Sequence, residues 1–541
     1  MALRRHSFLE LSWNSLELSM RTFLVAPLLA SLTLAASAQA ATFVVDSSSD
    51  ANLDDCTPAA ADCSLRGAIN AANAAAGADL IEFAIPESDA GFVAATAHWR
   101  IEPVTALPAL SGVVEIDGYS QPGATANTLA PGEGGSDAVL KIELRGTAQQ
   151  SVNGLESGTT DFNAQTVIRG LAINRFHSQI FFFGGGANRV EGCFLGTDIA
   201  GEVAALSGNS LRTIGVRLQG PGAYVIGGNT PAARNLLSGV FSGISAFSQT
   251  NALRVTGNLF GSNAAATAAI GNREYGIQLL ETINASIGGS TVAERNLFVG
   301  NQFSAVLLSS GSNIPLVFSG SRVIGNFFGT DWSGSLALPN GLNTLSPSQT
   351  QPTILVGAGN PCGLQIGGAG VGEANLIANG AAAGITVDSC ARVRISRNVF
   401  RGNRGPAIDN AQGGGFIGPT PNDAGDADNG GNRLQNFPTA LGIGVVTATT
   451  LELMYAVDSA PANAAYPLTV EFFRGEGGQA AEWIATQSIA LAQAQTTRSI
   501  TLPLAAFADD LVVMTATDAA GNTSEFGRVG IGAVFANGFE P

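Results

Sequence analysis

The stretch GCFLGTDIAG, starting at Gly192, returns as GNLFGSNAAA from Gly257 and as GNFFGTDWSG from Gly325, with a weaker echo, RNVFRGN, from Arg397. A second phrase interleaves with it: IGGNTPAARNLLSG from Ile226, IGGSTVAERNLFVG from Ile287 and IGGAGVGEANLIAN from Ile366. The first phrase recurs after 65, 68 and 72 residues. Self-similarity at a near-fixed period marks a solenoid, in which one supersecondary unit is stacked many times. The interval is too long for one coil. Divided by three, it predicts rungs of roughly 22 residues.

Within the phrases, short apolar runs such as Asn258-Leu259-Phe260, Phe327-Phe328 and Leu376-Ile377 are bounded by Gly, Asn and Ser-Gly. This is the punctuation of short strands and tight turns. Glycine makes up 68 of 541 residues, and charged residues are 13% against 45% apolar. A chain that stacks many inward-facing strand positions has that imbalance. The expected fold is an all-β, right-handed parallel β-helix over residues 79–438. Asn258, Asn326 and Asn398 precede an apolar pair, as do Asn235, Asn296 and Asn375. Asn tolerates left-handed backbone and caps turn groups, so recurrence at the repeat period reads as a stacked amide ladder rather than a row of ligand-binding groups.

The N-terminal segment reads as an export signal over residues 1–40. Arg21 precedes the apolar run Phe23–Leu34 and the small-residue stretch ASAQA ending at Ala40. Glu10 and Glu17 fit no part of such a signal, and Met20 restarts a well-formed one, so translation is expected to begin there. No other segment approaches transmembrane length. The formal net charge is −16 and Lys141 is the only lysine. That balance offers no basic stripe for nucleic acid. In an exported chain, Cys56 and Cys63 are expected to pair, and Cys362 and Cys390, about one rung apart, could staple adjacent rungs. Cys193, inside the first phrase, reads as a buried small apolar residue.

Both ends of a solenoid need covering. Residues 41–78 read as an N-terminal cap, with Leu65, Ala68, Ile69, Ala72 and Ala76 on one face of a short helix and Asp62 or Ser64 as its N-cap. After Pro438 the pattern becomes alternating strands separated by turn residues, as in TLELMYAV and LTVEFFRGEG. This predicts an immunoglobulin-like β-sandwich over residues 439–528. Residues 529–541 form a tail ending in FANGFEP, read either as a sorting tag or as a disordered end.

The phrase CSLRGAINAAN at Cys63–Asn73 is similar to the CSLREA-type N-terminal module of bacterial exported β-helix proteins, with Gly67 where that module commonly has Glu. IDGYSQPG at Ile116–Gly123, the GTD and IGG phrases, and PNDAGDADNGGNRLQNFP at Pro421–Pro438 resemble the same group. The resemblance covers most of residues 42–526. It implies a β-helix and an exported location, at the outer surface or outside a Gram-negative cell, and no defined activity.

Candidate chemistry is sparse. Asn422, Asp423, Asp426, Asp428, Asn429 and Asn432 place short oxygen ligands through a Gly-containing loop. Calcium takes six to eight oxygens, so Asp423, Asp426 and Asp428 are expected to bind it. The bidentate Glu of an EF-hand is missing, and an Asp/Asn-rich linker is the plainer alternative. Asp198 and Asp331 would be the carboxylates of a polysaccharide-cleaving site, but Asn263 takes their place in the middle copy, which suits a turn and would ruin a general acid. Arg234 and Arg295 recur likewise. Of the tryptophans after the signal, Trp99, Trp332 and Trp483, Trp332 could be exposed on its turn; the run Phe181-Phe182-Phe183 reads as inward stacking. Catalytic residues remain unassigned. The expected role is adhesion or extracellular binding, with glycans as candidate partners. The alternative is a pectate-lyase-like polysaccharide lyase or hydrolase.

Overall fold

The computed structural model describes residues 40–147, 152–159, 163–206, 212–247, 252–310, 318–343, 349–357, 361–411, 418–447, 449–503 and 511–530. The expected leader and the FANGFEP tail fall outside them. From Thr42 to Ala411 the chain winds through three parallel sheets of 11, 9 and 11 strands, visiting each in turn. Apart from one antiparallel pair at an edge, Phe92–Val93 with His98–Ile101, neighbouring strands in each sheet come from successive coils and pair in parallel register, as in Val216 with Ile244 and Ile244 with Ile277. The fold is therefore a parallel β-helix.

Rung length departs from expectation. Both repeated phrases lie in the same sheet on alternating coils: Phe194-Leu195, Leu236-Leu237, Leu259-Phe260, Leu297-Phe298, Phe327-Phe328 and Leu376-Ile377 pair in that order. The long repeat therefore spans two rungs, not three. Small hairpin loops at the corners, closed by the Thr197–Ala204, Ser262–Ala269 and Thr330–Ala337 bridges, lengthen alternate rungs.

Each apolar pair divides its labour by strand alternation. The second residue points into the coil, where the rings of Phe260, Phe298 and Phe328 stack at 4.6 and 4.8 Å between centroids. The first residue points outward and is buried beneath the corner hairpins, in a cluster containing Phe194, Leu236, Leu259, Ala264 and Leu297. Between them runs the amide ladder. Asn235 Nδ2 donates to Asn258 Oδ1 (2.9 Å), Asn258 to Asn296 (3.1 Å), Asn296 to Asn326 (2.9 Å), Asn326 to Asn375 (3.2 Å) and Asn375 to Asn398 (2.8 Å). All six are buried.

At the N-terminal end the helix Leu65–Ala74 buries Leu65, Gly67, Ala68, Ile69 and Ala72. Ser64, not Asp62, is its N-cap, accepting from Gly67 N. Ala76 lies beyond the helix end and is exposed. Gly67 is a packing requirement: an added Cβ would lie 1.7 Å from the Leu53 carbonyl oxygen. Arg66 ties the cap to the first coil through Asp50 and the carbonyls of Thr105 and Ala106.

Beyond Pro438, strands from Thr439 to Gly530 form antiparallel sheets of three and four strands. They share one core containing Leu453, Tyr455, Leu468, Val470, Phe472 and Met514. This unit closes the last rung, whose edge amides would otherwise be unpaired. Its side chains act as surrogate carbonyls. Asn410 N donates to Glu525 Oε1, Ile395 N to Thr523 Oγ1, Arg392 N to Asn522 Oδ1 and Asn403 N to Gln479 Oε1. Phe473 and Val513 join the coil's own core, and Phe526 bridges Phe400 and Phe473 edge-on.

Candidate functional site

The repeated carboxylates belong to turns. Asp198 Oδ1 accepts Glu202 N and Val203 N at 2.8 and 3.1 Å. Asn263 Oδ1 accepts Thr267 N and Ala268 N at 2.9 and 3.0 Å. Asp331 Oδ1 accepts Ser335 N and Leu336 N at 3.1 Å each. One geometry serves Asp and Asn alike, because only an acceptor is needed. The repeated arginines also support backbone. Arg234 donates to the carbonyls of Leu129 and Gly135, pinning the loop that crosses the hairpins, and burial lowers its pKa to about 10. Arg295 lies 4.0 Å over the Phe327 ring and donates to Gly325 O.

Asp423, Asp426 and Asp428 come together, each offering a carboxylate oxygen within 4.8 Å of the others. Asp423 caps a local turn by accepting Ala427 N. Asp426 is 6% exposed and accepts Gln435 Nε2 and Asn436 N. Burial, with the negative charges of Asp423 and Asp428 adding to it, pushes its carboxyl up to about 6. Asp428 is raised in the same sense, by burial and then by Asp423. Its Oδ1 is buried without a partner among the described residues. An orphaned oxygen beside two like charges fits a cation. The loop sits at the junction of the coil and the antiparallel sheets. Asn432 pairs with Val393 through its side chain, and Asn436 donates to Asp458 O.

Cys56–Cys63 and Cys362–Cys390 are bonded, with Cα separations of 4.4 and 6.0 Å, and the second joins adjacent rungs. Cys193 is free and buried, its thiol pushed by burial to about 12. Trp99 is buried and donates to Pro86 O. Trp332 is half-buried against the hairpin cluster, with Arg234 over its ring at 5.8 Å. Trp483 is exposed beneath Arg397.

The phenylalanine run does not all point inward. Phe182 is fully buried, but Phe181 and Phe183 lie on the outer face, Phe183 being 38% exposed. Strict alternation along Ser178–Gly184 dictates this. Register then builds a groove that sequence reading did not foresee. Phe181, Arg217, Ser245 and Gln278 stand opposite one another on four successive coils, and Phe183, Gln219 and Phe247 form the next row. His177, Arg212, Arg217, Phe241, Phe247, Glu274 and Gln278 line a groove of about 270 Å³ there. The Arg217 guanidinium lies 4.7 Å from the Phe181 ring centroid and 5.7 Å from that of Phe247. Arg212 lies 5.0 Å from Phe241. Among the described residues neither arginine forms a salt bridge, and Arg217 Nε is buried without a hydrogen-bond partner. Burial and then Arg217 lower the pKa of His177. Burial raises that of Glu274, with Arg212 and Arg273 opposing.

The missed signal was present. IGVRL, SGISA and YGIQL align on Gly215, Gly243 and Gly276 and so place Arg217, Ser245 and Gln278 in one outward row. Searches against models of known protein families and against curated proteins return no match. Among the described residues, no helix is long and apolar enough to cross a membrane.

Proposed function

We propose that this protein is an exported β-helix protein of the CSLREA-module type, acting in adhesion or extracellular binding, with a glycan held in the groove of the nine-stranded sheet. The observation that carries the reading is the pairing of outward phenylalanines with hydrogen-bonding side chains in that groove. Sugars present C–H faces to aromatic rings and hydroxyls to Arg, Gln, Ser and His. Two disulfides support an oxidising compartment. Right-handed winding and an immunoglobulin-like arrangement of the terminal sheets belong to the same reading. The lyase or hydrolase alternative loses its sequence candidates, since Asp198 and Asp331 are engaged in turns. A glycan array on the intact protein and on Phe241→Ala/Phe247→Ala tests the reading. Binding that the double variant loses is expected; binding unchanged by it would overturn the groove.

Calcium at Asp423, Asp426 and Asp428 is part of the proposal. Its role would be structural, neutralising three carboxylates at the junction and fixing the terminal sheets against the last rung.

A further inference from the structure

We infer that the groove selects anionic saccharides, through Arg212 and Arg217; this rests on the glycan-binding reading above. The chain as a whole is acidic, at −16, yet this groove presents two guanidiniums with no salt-bridge partner among the described residues. Arg66 is paired with Asp50, and Arg234 donates from its terminal nitrogen to carbonyls although its Nε, like that of Arg217, has no partner among the described residues. Arg217 differs. Its guanidinium carbon lies over the Phe181 and Phe247 rings, at 4.7 and 5.7 Å, so the planar fork packs on aromatic rings rather than on an acid. Its Nε–H is buried and has no hydrogen-bond partner among the described residues. A pre-oriented guanidinium matches the two oxygens of a carboxylate or sulfate ester in a bidentate pair. Lysine could not do this with the same geometry, and none is present in the groove.

The other groups tune the selectivity. Glu274 is the acid lining the groove, set against Arg212 and its own neighbour Arg273, so the site retains net positive charge. Ser245 donates to Gln278 Oε1, so the Gln278 amide would meet a ligand as a donor through its N–H groups. Phe241 and Phe247 supply the apolar lining, which carries no charge preference of its own. Changes at the arginines therefore test charge recognition while the rings stay in place.

The test is isothermal titration of the folded full-length protein with three oligosaccharides of equal length: an oligouronate, a sulfated neutral-backbone oligomer and an uncharged oligomer. At least tenfold tighter binding of one charged oligomer over the uncharged one is expected, weakening as salt rises. The preferred charged oligomer distinguishes carboxylate from sulfate as the ligand group. Arg212→Gln/Arg217→Gln should abolish the preference while keeping the melting temperature. Arg217→Lys should retain only part of it. Equal affinity for all three, or a preference that survives the double Gln change, would overturn this inference and leave glycan binding standing. Failure of every oligosaccharide to bind would overturn both.

Discussion

Asn258 donates its side-chain amide to Asn296 Oδ1 at 3.1 Å, although the two residues are 38 positions apart and belong to different repeated phrases. The contact shows that the two phrases are successive rungs of one sheet. Each Asn before the last, Asn398, spends its carbonyl on amides of the preceding rung and its N–H groups on a backbone carbonyl and the next Asn, as Asn296 does with Val255 O and Asn326 Oδ1. Such a chain specifies rung register at the cost of full satisfaction at every step.

Replacing Asn296 with Ala should destabilise the protein by about 3 kcal/mol or more, since several buried polar groups lose their partner at about 1–3 kcal/mol each. Asn296→Asp should be as damaging, because a carboxylate cannot donate to Val255 O and Asn326. Denaturant unfolding measures this; a loss below about 0.5 kcal/mol would show that the ladder is incidental.

Asp198→Asn and Asp331→Asn should change stability by no more than about 0.5 kcal/mol, the size typical of surface substitutions. Asn263 already does the same work with the same two acceptances. Asp331→Ala should cost about 1 kcal/mol through the lost turn cap. A polysaccharide-cleaving activity that disappears in Asp331→Asn would contradict the turn assignment.

Calcium should raise the melting temperature through the junction loop. At a hundredfold excess over the dissociation constant, binding to the native state adds about 2.7 kcal/mol. Asp423→Ala/Asp426→Ala/Asp428→Ala should remove the response. Identical melting with calcium and with chelator in the native chain would leave the three carboxylates a plain loop.

Stability should be greatest in mildly acidic buffer when chelator is present. Burial pushes Glu525 up to about 7 and Asp426 up to about 6, so their folded-state pKa values exceed the unfolded ones. The native state then holds protons that the unfolded chain releases, and stability falls as pH rises from about 4.5 through 7. Glu143 has the opposite sign. Burial alone would raise it, but hydrogen bonds from His98, Asn174 and Arg100 outweigh burial and hold it at about 2. Its contribution is complete above the unfolded value and is lost as pH falls from about 4.5 toward 2. Melting temperature across pH 3 to 8 checks both limbs; a steady rise from pH 5 to 8 would refute the Glu525 assignment.

The stacked asparagines, the Asx turns, the inter-rung cysteine pair and the N-terminal helix were legible in the sequence because each depends on local chemistry or on recurrence. Rung length was not. Two phrases alternating in one sheet give the same sequence period as one phrase skipping rungs, and it is contacts between phrases, such as Asn258–Asn296, that separate them. The groove was hidden for a related reason. Arg212, Arg217, Phe247 and Glu274 are brought together by register between coils of unequal length. Three consecutive phenylalanines also masked the alternation that turns Phe181 and Phe183 outward.

Hydrogen–deuterium exchange, with and without a saccharide that binds the protein, tests the central claim most directly. Ligand in the groove should slow exchange across Ser178–Gly184, Ile214–Gln219, Ser242–Phe247 and Tyr275–Leu280, and leave the antiparallel sheets beyond Pro438 unchanged. Protection confined to those terminal sheets, or to the corner hairpins at Asp198 and Asp331, would contradict it.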